Sequence, residues 1–197
     1  MMASPSSLPL PKTIVLIGMM GAGKTCIGRQ LAERFDIPFT DADSEIAEAA
    51  GCSVSEIFDV HGEAAFRDGE RRVISRLLDM PIHVLATGGG AFMDEETRHL
   101  IKEKAISIWL RADIDLLLSR VLRRNTRPLL KKGDPRQILE KLIAERYPVY
   151  EKAEIIVDSV DAPPEVTVEN AYNAVKSYLE SRPDKTNLND DAQGTAR

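Results

Sequence analysis

The sequence predicts an α/β domain: a parallel sheet with helices on both faces. Three observations lead there. Short aliphatic and β-branched runs alternate with amphipathic stretches along the 197 residues, the pattern of strands joined by helical crossovers. An apolar fraction of 43% with 29% charged residues is that of an ordinary globular chain, long enough to bury a sizeable core. A glycine-rich segment, GMMGAGKT, sits between the first strand and the first helix. In such sheets ligands bind at the carboxyl ends of the strands, and the crossovers are right-handed.

The elements follow in order. TIVLIG, Thr13 to Gly18, reads as a buried strand, and helical spacing runs from Lys24 to Phe35. Ile37 to Asp43 is a second strand ending in acids. From Ser44 to Asp79 the pattern is helical, broken near Gly51 and near His61 and Gly62. Ile82 to Gly90 is a third strand running into three glycines. Asp94 then caps a helix with Glu96 and Thr97 in its first turn. Ala105 to Leu110 is a fourth strand. Helices cover Ala112 to Leu122 and Asp134 to Tyr150, the latter kinked or ended by Pro148. Glu154 to Asp158 is a fifth strand, and a last helix covers Pro164 to Leu179. Aromatic residues are only 5%, which predicts an aliphatic core. Residues 1–11 read as a flexible leader rich in Ser and Pro, and the polar residues 183–197 as a disordered tail. Between them, 12–182 forms one domain.

A formal net charge of −5 and a pI of about 5.3 argue against a nucleic-acid partner, so any bound anion must meet a local basic cluster. Cys26 and Cys52 have neither CxxC nor zinc-site spacing and read as free thiols in a reducing cytosol. No apolar run is long enough to span a membrane, and the N-terminus has no signal-peptide pattern. A cytoplasmic protein is the expectation.

The strongest chemical signal is Gly18 to Thr25, which matches GxxxxGK[ST] between a strand and a helix. Glycines let the backbone curl so that successive N–H groups, here those of Gly21, Ala22, Gly23, Lys24, Thr25 and Cys26, point at phosphates. The helix start adds its positive dipole end. Lys24 is expected on the β- and γ-phosphates and the Thr25 hydroxyl on Mg²⁺. The loop alone specifies a nucleotide. There is no NKxD for guanine, and the chain is short for a translocating motor.

Further polar groups follow the other strands. Strand alternation would put Asp41 and Asp43 on one side, facing the cleft. One would hold the metal's waters and the other orient or deprotonate an acceptor hydroxyl; Asp43 could instead simply cap the next helix. Arg67 and Glu70 are i, i+3 neighbours, which taken alone suggests a plain surface ion pair. Gly88, Gly89 and Gly90 suit close approach of a ligand to bare backbone. Arg120, Arg123, Arg124, Arg127, Lys131, Lys132 and Arg136 form the basic cluster the acidic chain needs, opposed only by Asp134. The segment, about 120–136, reads as a lid over ATP, with Arg127 the residue to stabilise the transferring phosphoryl charge. Arg146 is a further candidate anion clamp.

Taken together, GMMGAGKT, the Asp41–Asp43 pair, FRDGE, TGGGA, TRPLL and ERYPVYEKA occur in the order found in shikimate kinases, and the sequence resembles that family from about Thr13 to Leu179. The resemblance implies a P-loop, nucleoside-monophosphate-kinase-like fold: five parallel strands, a lid and a substrate-binding lobe at about 44–79. It implies phosphorylation of the 3-hydroxyl of shikimate by ATP with Mg²⁺, a step towards chorismate and the aromatic amino acids. Asp43 would bind ring hydroxyls and act as base. Arg67 and Arg146 would clamp the carboxylate, and the glycine run, chiefly Gly89 and Gly90, would offer N–H groups. Arg127 would be the lid arginine, and Arg120, with Arg123 and Arg124 close by, would stack on adenine. Asp41 would act on Mg²⁺ through water. Motifs that line one small cleft suggest a monomer. Another sugar-acid kinase, such as a gluconate kinase, and a regulatory nucleotide switch are the competing expectations. Intact Lys24, Thr25, Asp43 and Arg127 speak against the switch.

Overall fold

The structure, a computed structural model, describes residues 9–123 and 133–181. Five strands, β1 (Thr13–Ile17), β2 (Phe39–Asp41), β3 (Val84–Ala86), β4 (Ala105–Arg111) and β5 (Ile155–Asp158), form one parallel sheet in the order β2-β3-β1-β4-β5. The burial of each strand follows its place. Central β1 is aliphatic after Thr13 and fully buried, because helices cover both its faces. Edge strand β5 alternates, with Ile155 and Val157 inward and Ile156 and Asp158 outward.

Among the described residues seven helices connect the strands or follow the last of them: α1 (Lys24–Phe35), α2 (Ala42–Ala50), α3 (Val54–Leu78), α4 (Glu95–Lys104), α5 (Ile114–Leu122), α6 (Pro135–Tyr150) and α7 (Pro164–Glu180). Their ends obey local rules. Asp94 and Asp113 accept the backbone N–H groups of Thr97 and Leu116 at the starts of α4 and α5. Ser53 and Glu56 form a reciprocal capping box on α3. The break expected near Gly51 is the C-cap of α2, and the break near Gly62 is a single non-helical residue inside α3 (φ 78°, ψ 174°). Among the described residues no helix is long and apolar enough to cross a membrane.

Three expectations need correction. The second strand stops at Asp41, and Asp43 lies in the first turn of α2. Asp41 is the cap, accepting from the Asp43 amide at 3.1 Å, so strand alternation does not relate the two acids. The third strand stops at Ala86, because the glycine run leads into a 3₁₀ turn at Ala91–Met93. Of the two outcomes expected at Pro148, a kink or an end, the end does not occur there: the residue lies within α6, which continues to Tyr150.

The sheet core is aliphatic, but the largest fully buried side chains are Trp109 and Tyr150. Their rings, with Tyr147, form a cluster whose centroids are 4.8–6.2 Å apart. Few aromatics in the chain did not mean few at its centre. Helices α2 and α3 gather a smaller apolar cluster around Ile46, Ile57 and Phe66. Burying each such side chain contributes about 1.5–3 kcal/mol.

Candidate active site

A cleft of about 560 Å³ lies over the carboxyl ends of the strands. Central β1 has β2 and β3 on one side and β4 and β5 on the other, so the cleft sits where the strand order reverses. One half is built on the glycine-rich loop. Gly18 has φ 147°, and a Cβ there would fall 2.7 Å from the Leu110 carbonyl oxygen, so only glycine fits between β1 and β4. Gly23, at φ 97°, turns the chain into α1. Lys24 Nζ donates to the carbonyls of Gly18 (2.9 Å) and Met19 (3.0 Å), which holds the ammonium over the loop. The Thr25 hydroxyl donates to Asp41 Oδ2 at 2.9 Å. One carboxylate thus joins the start of α1 to the start of α2, and it leaves two hard oxygen donors side by side, the chemistry Mg²⁺ prefers.

Arg120 closes the same half. Its guanidinium donates to Ser159 Oγ (2.9 Å), the Val160 carbonyl (2.8 Å) and the Gly21 carbonyl (3.4 Å). Ser159 in turn donates to the Ala22 carbonyl at 3.0 Å. Ala22 is itself buried behind the loop and does not line the cleft. Cys26 is exposed and lines the cleft. Arg123 lines it too, whereas Arg136 pairs with exposed Asp115 on α5 and does not. Arg124, Arg127, Lys131 and Lys132 lie outside the described residues.

The other half is a wall of backbone. Thr87 hydrogen-bonds the Leu16 carbonyl through both its N–H and its hydroxyl, which anchors the start of the glycine run to β1. Each glycine is then faced by a charged group. A Cβ on Gly88 would lie 2.8 Å from Glu70 Oε1 and 2.9 Å from Asp43 Oδ1; on Gly89, 3.0 Å from Arg146 Nη1; on Gly90, 2.4 Å from both terminal nitrogens of Arg67. Four side chains from three helices therefore converge on three consecutive residues.

Arg67 and Glu70 are not a surface pair. Glu70 is 2% exposed and accepts from Arg67 at 2.6 Å, while Glu63 contacts the same guanidinium from the solvent side at 3.4 Å. Burial pushes the Glu70 carboxyl above the usual carboxylate range; Arg67 pulls it back in part, and the nearby Asp43 and Asp94 push it up again. Burial acts to lower the Arg67 pKa, but Glu70 and Glu63 together raise it, so the guanidinium stays charged. Glu70 Oε1 and Arg146 Nε are buried with no hydrogen-bond partner among the described residues. Both residues line the cleft, which leaves polar capacity for a ligand.

The structure thus brings Lys24, Thr25, Asp41, Asp43, Arg67, Gly88, Gly89, Gly90, Arg120 and Arg146 together around one cavity. Sequence reasoning passed over Ser159 and Tyr150. Ser159 follows the end of β5 and was open to the same strand-end rule that picked out the other motifs. Tyr150 is i+4 from Arg146, on the same helical face.

Known proteins resemble this chain in sequence and fold. A family model for shikimate kinase matches residues 20–176. A shikimate kinase of Paramagnetospirillum magneticum is 55% identical over 169 residues, covering 86% of this chain and 87% of the relative. One of Rhodopseudomonas palustris is 57% identical over 172 residues, covering 87% and 85%. Among solved structures, a shikimate kinase from Acinetobacter baumannii in complex with shikimate superposes with a TM-score of 0.82 at 34% identity, covering 85% of this chain and 94% of that one. A gluconokinase from Sinorhizobium meliloti shares the fold alone, with a TM-score of 0.59 at 19% identity over 88% of this chain and 99% of that one.

Proposed function

The chain belongs to the shikimate kinase family and is an ATP-dependent enzyme that phosphorylates the 3-hydroxyl of shikimate, giving shikimate 3-phosphate and ADP for aromatic amino-acid biosynthesis, and we propose that the reaction runs in the cleft over the sheet with the roles below. The observation that carries this reading is the glycine wall, with Asp43, Arg146 and Arg67 set against Gly88, Gly89 and Gly90 in turn. Arg67 and Arg146 are cations on one wall of the cleft and suit the two sides of a carboxylate. The N–H groups of Gly89 and Gly90, with Gly88 beside them, offer donors to the bound ring.

Asp43 then receives the ring hydroxyls. Its carboxylate takes the proton as the 3-hydroxyl oxygen attacks the γ-phosphorus in line, the O–P bond forms, and the β–γ bridge breaks to leave ADP. Lys24 and the backbone N–H groups from Gly21 to Cys26 hold the phosphates. Thr25, and Asp41 through water, would hold Mg²⁺, which would supply charge neutralisation for the phosphates. Arg120, its plane set by Ser159 and Val160, presents a flat face to adenine. The part of Arg127, stabilising the transferring phosphoryl charge, rests on the TRPLL sequence. One kinase domain over 12–182, with the α2–α3 region (about 44–79) as substrate lobe, acts as a cytoplasmic monomer without nucleic-acid or membrane partners.

The test is a coupled assay of ADP release with Mg²⁺–ATP and shikimate, gluconate or no acceptor. Fast turnover with shikimate alone is expected. Turnover with gluconate, or none that depends on shikimate, would overturn the assignment.

A further inference from the structure

Arg67 and Arg146 are set for the same ligand group but are held in place by different means. Arg67 has Glu70. Arg146 has no ion pair among the described residues, and its Nε is buried without a partner. What it has is Tyr150, one helical turn on. The Tyr150 hydroxyl donates to the Gly89 carbonyl, and the Arg146 guanidinium beside it acts to lower the phenol's pKa against burial. The ring is fully buried, packed against Trp109 and Tyr147 at centroid distances of 5.9 and 6.2 Å. Gly89 is also the glycine whose missing Cβ would lie 3.0 Å from Arg146 and 3.8 Å from the Tyr150 hydroxyl.

We propose that Tyr150 is a positioning residue for shikimate: its hydroxyl fixes Arg146 and the Gly89 peptide relative to each other, so that the guanidinium and the glycine N–H groups meet the bound acceptor together. The aromatic cluster makes the anchor rigid. Burial pushes the phenol up to about 12, so it remains a hydroxyl at any working pH. The inference rests on the acceptor reading of Arg146 and Gly89 given above.

The experiment compares Tyr150→Phe and Arg146→Lys, which keep the ring and the charge respectively. A hydrogen bond of this kind is worth about three- to tenfold. Tyr150→Phe is expected to raise the shikimate KM by that factor while kcat and the ATP KM stay within about twofold. Arg146→Lys is expected to raise the same KM more. An unchanged shikimate KM in Tyr150→Phe, with Arg146→Lys impaired, would overturn the role of Tyr150 alone. Equal rises in the ATP and shikimate KM of Tyr150→Phe would also overturn it, as a general packing effect. No change in either variant would overturn the acceptor reading and this inference with it.

Discussion

The two halves of the cleft are built by opposite methods. On the nucleotide side, side chains are held by backbone: Lys24 donates to the carbonyls of Gly18 and Met19, Arg120 to those of Gly21 and Val160, and Ser159 to that of Ala22. On the acceptor side, side chains stand against backbone, and Asp43, Glu70, Arg146 and Arg67 occupy the space that three absent Cβ atoms leave. The first method suits a phosphate chain, which many N–H groups can share. The second suits a compact ring whose carboxylate and hydroxyls must be told apart, since fixed charges specify position as well as sign. The difference teaches that the two substrates should be separable by mutation.

The largest expected effect tests the acceptor side at its reacting group. Asp43→Asn removes the proton acceptor and should lower kcat by roughly 10²-fold or more with little change in the ATP KM. Steady-state rates at saturating substrates check it, and unchanged turnover would exclude Asp43 as base. Next, Arg67→Ala should raise the shikimate KM by about 30-fold or more and leave that for ATP alone. It also strands the buried Glu70 carboxylate, so thermal melting should show a lower Tm. A rise confined to the ATP KM would put Arg67 in the wrong half. On the nucleotide side, Ser159→Ala frees the Arg120 guanidinium from one partner and should raise the ATP KM by about three- to tenfold, with shikimate unaffected. An effect on both substrates would mean that the halves are mechanically joined. The smallest effect is a control. Gly69, in α3, has nothing within 4 Å of a built Cβ. Gly69→Ala should therefore leave both KM values alone and add about 0.5–1 kcal/mol of stability, read by denaturant unfolding.

The same contrast explains what could be read from the sequence. The turn from β1 into α1 was legible, because GMMGAGKT is contiguous and its physics is local. The five strands and their parallel order of use were legible from aliphatic runs, although β2 and β3 came out shorter than expected. Helix-capping at Asp41 and the turn made by the glycines take over where hydrophobic pattern alone would continue a strand. The acceptor half was legible only as a set of motifs, since its members are spread from Asp43 to Arg146 and meet only in the folded chain. The burial of Glu70 was invisible: an i, i+3 pair with arginine looks the same in sequence whether it faces water or the core. Tyr150 was hidden for a related reason. A tyrosine near a helix end carries no chemistry until its hydroxyl is seen against the Gly89 carbonyl. Arg127 and most of the basic cluster lie outside the described residues, and their roles still rest on sequence.

A wall made of bare backbone has nothing to trim. At Gly88 and Gly90 a larger residue would meet a carboxylate or a guanidinium, so a replacement there displaces the charged groups instead of trimming the cavity by degrees. Adaptation to a different acceptor must come from the opposite side, where Val54, Phe58 and Phe66 of α3 line the cleft with side chains that can be shortened or exchanged. The site works like a vice with one cast jaw and one adjustable jaw. Lineages that diverge in acceptor preference should keep the first and vary the second.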